Sequence, residues 1–182
     1  MDYDKSNTLR RKGSEMKKKF YKTMRSIIKL LEQYDLEPKL YIEGDERYYI
    51  RINEYMKDPG FCYDNVILHL FVDFHERVMF IGLLRIPKKL RKTGLGSIIL
   101  EKIMDFVNEN HFFIYLDACN ESQCFWQKNG FQHMFHDPNM FVIMGYSADQ
   151  WDIFWEWEDF KKTKIYQTFL SDHDEEFVER LE

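Results

Sequence analysis

Residues 90–106 read LRKTGLGSIILEKIMDF. Arg91 and Lys92 are followed by Thr93, then by Gly94-Leu95-Gly96-Ser97, and then by apolar residues at helical spacing, Ile99, Leu100, Ile103 and Phe106. The glycines therefore stand at the mouth of a helix. The first-turn N–H groups of a helix have no internal partners and carry the positive end of its dipole. Glycine lets a backbone approach a bound anion closely, and the two cations in front add charge. The stretch reads either as a flexible Gly-rich turn or as an anion cradle, and its context has to decide.

That context is a change of period. Upstream, Val78 to Ile86 is an almost unbroken apolar run bounded by His75-Glu76 and Pro87, expected to be a central strand covered on both faces. Downstream, Phe112 to Ala118 has apolar residues at every even position, with Tyr115, Asp117 and Cys119 on the other face. Glu121 to Lys128 suggests a short helix, stopped by Asn129-Gly130. Phe131 to His136 and Met140 to Tyr146 read as a hairpin around Asp137-Pro138-Asn139.

The N-terminal half begins with a polar stretch, 1–12, expected to fray. An amphipathic helix from about Ser14 to Tyr34 follows, with Phe20, Met24, Ile27 and Leu31 on its apolar face. Leu40 and Ile42, then Tyr48, Ile50 and Ile52, alternate as two strands about Gly44-Asp45. Asp58-Pro59-Gly60 marks a loop, and Val66 to Phe74 a third strand. Ser147 with Gln150 forms a capping-box pattern for a C-terminal helix, and Ser171 is placed to cap another. The expected class is α/β (α+β): a mixed, mostly antiparallel sheet flanked by helices. The domain reading is a tail at 1–12, one domain over 13–146, and an acidic, Trp-rich helical extension over 147–182.

With these elements in place, the chain resembles the GCN5-related N-acetyltransferases in two blocks. Arg91-Lys92-Thr93-Gly94-Leu95-Gly96 matches that family's R/Q-x-x-G-x-G/A signature between a strand and a long helix. LDACNESQCFWQKNGF, at 116–131, is similar to its strand, Asn, short helix and Gly-Phe. With the flanking strands, 78–146 corresponds to the acetyl-CoA-binding core. The resemblance implies acetyl-CoA as co-substrate, with its pyrophosphate on the amides from Lys92 to Ser97. The strand end Leu84, Arg85 and Ile86 would pair with the pantetheine arm and polarise the thioester carbonyl. Asn120 and Trp126 would lie along that arm. The implied activity is direct acetyl transfer to a primary amine of a small molecule or protein, and an acidic surface would suit polyamine, aminoglycoside or lysine-type acceptors. The alternative is a related binding module acting through a protein partner.

The chain departs from the family's pattern in three ways. Trp126 stands where a Tyr commonly supplies the thiolate's proton, and an indole N–H is a donor without useful acidity. No acid lies within Val78–Ile86, leaving Glu76 just before it and Asp117 on the next strand as candidate bases. Only a tight turn separates the first two strands, where the family has two helices that wall the acceptor.

Charge and cysteine usage bound the rest. Basic residues dominate from Lys5 to Lys29 and acids from Asp149 to Glu182, which fits either two solvated faces or mutual attraction. The basic helix could touch nucleic acid, but its aromatics, Phe20 and Tyr21, are few and partly on its apolar face, and the remainder of the chain is acidic, so nucleic-acid binding is not expected. Cys62, Cys119 and Cys124 contain no CxxC, which suits a reducing compartment. Cys119 and Cys124 with His133 and His136 lack the spacing of a zinc site, so no metal is expected. The N-terminus MDYDKSNTLRRKG has no signal-peptide core, and no run is long enough to span a bilayer. A cytoplasmic protein is the expectation. QWDIFWEWEDF, at 150–160, is expected to cover the protein's own sheet or to form a homodimer or partner surface.

Overall fold

The computed structural model describes residues 3–53, 65–119, 121–136, 142–147, 161–164, 167 and 171, with the side chains of 3–12, 135 and 136 excepted. The loop at 58–60, Cys62, Asn120, the 137–139 turn, Gln150, the aromatic stretch 150–160 and the acidic residues from 172 onward lie outside the described residues.

Seven strands form one sheet in the order β1-β2-β3-β4-β5-β7-β6. They are β1 (Lys39–Glu43), β2 (Arg47–Arg51), β3 (Val66–Asp73), β4 (Val78–Leu84), β5 (Phe113–Asp117), β6 (Gln132–His136) and β7 (Val142–Tyr146). β1 to β4 are an antiparallel meander. β4 then pairs in parallel with β5 after a crossover through helix α2 (Leu95–Asn110). β7 joins β5 antiparallel and carries β6 outside it. The mixed, mostly antiparallel sheet expected from the periodicities is the sheet observed. β4 is central and lies between β3 and β5.

Helix α1 (Tyr3–Glu32) and α2 bring their apolar stripes to the same core. Phe20, Met24, Ile27 and Leu31 repeat at helical spacing and are 1% exposed or less. They meet Ile50, Leu70, Met79 and Ile81 of the sheet and Ile99, Ile103 and Phe106 of α2. Phe20 sits at the hub, with ring centroids 4.8 Å from Tyr48, 5.4 Å from Phe106 and 5.5 Å from Phe74 in edge-on arrangements. Each fully buried large side chain contributes about 2 kcal/mol relative to exposure, so this layer fixes where α2 begins.

Two boundaries differ from the sequence reading. The helix expected from Ser14 runs from Tyr3, so its backbone includes most of the stretch expected to fray. That stretch lacks an apolar stripe, but it has no proline, and Leu9, Arg10, Arg11 and Lys12 favour helix, so the packed helix propagates into it despite the weaker formers Asp4, Ser6, Asn7 and Thr8. At the other end, Lys164, Gln167 and Ser171 are already helical, with the Gln167 N–H donating to the Thr163 carbonyl at 3.0 Å. Ser171, expected to cap a helix, is itself helical. Helix α3 (Gln123–Lys128) has the expected place.

Candidate functional site: a split sheet beneath a helix N-terminus

β4 and β5 separate. Their parallel pairing covers Val78–Ile81 against Phe113–Leu116 and stops there. On the other side of β4 the register against β3 shifts between His69 and Leu70, whose partners are Leu83 and Ile81. Gly82 is thus the extra residue of a bulge, at the first position beyond the last rung shared with β5. Asp117 holds the equivalent first position on β5 and pairs outward with Ile143 of β7. Gly82 and Asp117 are the two lips of a gap in the sheet.

Gly82 is required by close approach. A Cβ there would lie 2.9 Å from the Phe71 ring edge and 3.3 Å from Nδ1 of His69. His69, 3% exposed, stacks on Tyr49 with centroids 4.1 Å apart and on Phe71 at 4.2 Å. An imidazole is therefore held against the bulge. Sequence reading missed both residues. A histidine inside an apolar run was the available signal for His69, but a glycine in a strand carries no mark of which neighbour crowds it.

Beyond the bulge the backbone alternates. The Arg85 N–H donates to the Ile67 carbonyl at 2.8 Å, so it is turned towards β3. By alternation the N–H groups of Leu84 and Ile86 point to the open side, where β5 has diverged. Of the strand-end trio expected to face a ligand, Leu84 and Ile86 present their amides to the open side. Arg85 is buried, and its amide completes the sheet.

The chain then passes through Pro87 and a 3-10 turn (Lys88–Leu90) into the Gly-rich loop. Arg91 Nε donates to the Ile86 carbonyl at 3.0 Å, and Thr93 Oγ1 donates to the Leu90 carbonyl at 2.7 Å. The first ties the loop back to the residues just beyond β4, and the second braces the loop against the 3-10 turn before it. Lys92 (φ 66°) and Gly94 (φ 87°) adopt left-handed conformations on either side of Thr93. Alternation of backbone handedness turns successive N–H groups into one concavity. The first bond within α2 is Ile98 N–H to Gly94 carbonyl, 3.0 Å, which leaves the amides of Leu95, Gly96 and Ser97 outside the helical ladder. No side chain caps them and no acid occupies the first turn. Nothing lies within 4 Å of the Cβ position of Gly94, so its face is open to a ligand. A pyrophosphate fits this donor set: convergent amides, a helix dipole, and the exposed cations Arg91 and Lys92.

The two sequence blocks meet at Gly96. Its Cβ position lies 3.4 Å from Ile86 and 3.7 Å from the Phe125 ring, so α3 abuts the cradle through Phe125. Trp126, expected to lie along the cofactor arm, packs into the core. It is 6% exposed, its ring packs on Phe131 at 5.4 Å, and its Nε1–H donates to Ser122 Oγ at 3.2 Å. The same hydroxyl is 3.3 Å from the thiol of Cys119. The helical repeat puts Phe125, one position earlier, on the side that meets the loop.

Glu76, the other candidate base beside Asp117, sits away from the loop. It lies in the β3–β4 turn, exposed, 2.7 Å from His75 Nδ1 and with its own amide bound to Asp73. Seven residues of β4 separate this turn from the loop, about 20 Å of strand. Glu76 thus stands a strand's length from the Gly-rich loop. A cleft of about 260 Å³ lined by Lys19, Arg77 and His111 lies at that same far end. We give it no part in the chemistry, because neither the gap nor the Gly-rich loop borders it. Among the described residues no three His, Cys, Asp or Glu converge as a metal site, and no helix is long and apolar enough to cross a membrane.

No family model and no curated protein matches the sequence. Among solved structures, several N-acetyltransferases are similar to part of the chain. A putative N-acetyltransferase from Lactobacillus plantarum shares 19% identity over 56% of this chain and 67% of its own, with a TM-score of 0.39. Tetrahymena GCN5 shares 14% over 57% and 69%, with a TM-score of 0.43. An aminoglycoside 6'-N-acetyltransferase complexed with coenzyme A shares 12% over 57% and 74%, with a TM-score of 0.41.

Proposed function

We propose that this chain is a GCN5-related N-acetyltransferase that moves the acetyl group of acetyl-CoA directly onto a primary amine. The observation that carries the reading is the gap between β4 and β5, opened at the Gly82 bulge and leading to the uncapped amides at the start of α2. The amides from Lys92 to Ser97 hold the pyrophosphate, helped by Arg91 and Lys92. The N–H groups of Leu84 and Ile86 line the arm that leads down to the gap, where a backbone donor can stabilise charge developing on the thioester oxygen.

The acceptor amine must lose a proton before or as it attacks the carbonyl carbon; the C–S bond then breaks and the thiolate takes up a proton. Two groups at the gap can accept the amine's proton. Asp117 stands on one lip, and His69 lies against Gly82 on the other. Cys119, whose thiol donates to Ser122, lies on the approach to α3 and is a candidate to give a proton to the thiolate. The acceptor is a small-molecule or protein amine. The second reading, a binding module that retains coenzyme A, is favoured by one observation: the Trp126 N–H is already engaged by Ser122.

Thiol release from acetyl-CoA, followed with a polyamine, an aminoglycoside and a lysine peptide, separates the two. Amine-dependent release, lost in Gly94→Trp, is expected. His69→Gln or Asp117→Asn should lower kcat about 100-fold for whichever residue is the base, with acetyl-CoA affinity unchanged. Tight acetyl-CoA binding with no release for any amine would leave only the binding-module reading.

A further inference from the structure

β1 is a terminal strand of the sheet, and among the described residues nothing pairs with its outer edge. Open edges are usually shortened, charged along their length, or bent, because their free N–H and C=O groups accept another strand. β1 instead exposes two large apolar side chains, Tyr41 at 42% and Ile42 at 44%. Every residue of the strand except Leu40 is exposed.

The sequence of this edge is Lys39-Leu40-Tyr41-Ile42-Glu43. Laid antiparallel to a copy of itself about Tyr41, it sets Lys39 opposite Glu43 at both ends and Leu40 opposite Ile42. Tyr41 then faces Tyr41. Sliding one strand by two residues breaks both ion pairs. Sliding it by one turns the apolar residues to the wrong face and sets Lys39 against Ile42. The charges therefore select one register, and that register is two-fold symmetric, as an isologous dimer requires.

We propose that β1 is a homodimer interface, in which the β1 strands of two copies pair antiparallel about Tyr41 and join their sheets into one. Both faces of the ladder fit. On one face Leu40 already packs against the core, and pairing extends that apolar surface over the Ile42 of each copy. On the other, Arg51 lies 5.1 Å from the centroid of the Tyr41 ring and 5.6 Å from that of Tyr49. It holds Tyr41 down along the sheet surface, where the second Tyr41 can stack on it. A five-residue ladder is a small interface, so the dimer is reversible, with a dissociation constant on the order of micromolar. This inference is independent of the acetyltransferase reading.

Sedimentation velocity of the full chain at low salt tests it. Wild type should pass from monomer to dimer between about 1 and 100 μM. Lys39→Glu and Glu43→Lys each turn two attractions into two repulsions and should weaken the dimer about tenfold or more. The double variant Lys39→Glu/Glu43→Lys restores opposite charges in the same register and should recover wild-type association. Circular dichroism of each variant should match wild type, since both side chains are exposed. A chain that stays monomeric throughout overturns the proposal. So does a dimer that neither single reversal weakens, which would place the interface elsewhere.

Discussion

At the scale of single residues, Gly82 has the sharpest consequence. A methyl group added there meets the Phe71 ring at 2.9 Å and His69 at 3.3 Å, and both rings are held by further aromatic contacts, His69 stacked on Tyr49 and Phe71 edge-on to Phe80. Gly82→Ala should cost about 1–3 kcal/mol in urea denaturation, the range for overpacking a filled site. It should also displace His69 and lower any turnover beyond what the stability loss explains. Gly94 is the contrasting glycine: space surrounds it, but its φ of 87° strains any side chain, so substitution there disturbs the cradle more than the core. The Gly-rich loop and the start of α2 were legible because glycine, charge and helix onset are all written locally. The remoteness of Glu76 and the burial of Arg85 and Trp126 were not, because they depend on position along the sheet, strand alternation and helix rotation. His69 and Gly82 meet only across two strands, and no short window of sequence holds both.

At the scale of elements, α1 and α2 were legible from the 3.6-residue repeat, and β4 from its unbroken apolar run. The split between β4 and β5 was not, since pairing that stops partway leaves each strand's composition unchanged. α1 is the strut beneath α2, and Phe20 is its central contact. Phe20→Ala should destabilise the fold by about 4 kcal/mol, as expected for a large aromatic removed from a packed core. Thermal or chemical denaturation with helix content as the readout checks this. If α1 were an appended element rather than part of the core, the loss would be near zero.

At the scale of the whole molecule, the basic and acidic ends were expected either to be solvated faces or to attract one another. The described contacts run to the β1–β2 turn: Lys17 lies 3.9 Å from Asp45, and Lys164 bonds Glu46. That bond raises the Lys164 pKa. Two buried tyrosines give the domain an alkaline limit. Burial pushes the hydroxyls of Tyr48 and Tyr115 well above their ordinary value of 10.0. A raised folded-state pKa means that the unfolded chain ionises first. Stability from these groups is therefore complete below pH 10 and declines as pH rises towards the folded-state values. Denaturation midpoints should fall from about pH 10 upward, while tyrosinate absorbance from these two residues appears only with unfolding. Tyr48→Phe/Tyr115→Phe should flatten that decline.

The central claim is that the amides at the start of α2 and the gap below them receive acetyl-CoA. Isothermal titration calorimetry of the full chain with acetyl-CoA tests it most directly. The account predicts saturable binding with one site per chain, weakened at least about 100-fold in Gly94→Trp, whose circular dichroism remains that of the wild type. No heat at millimolar acetyl-CoA, or equal affinity in the two proteins, would contradict it.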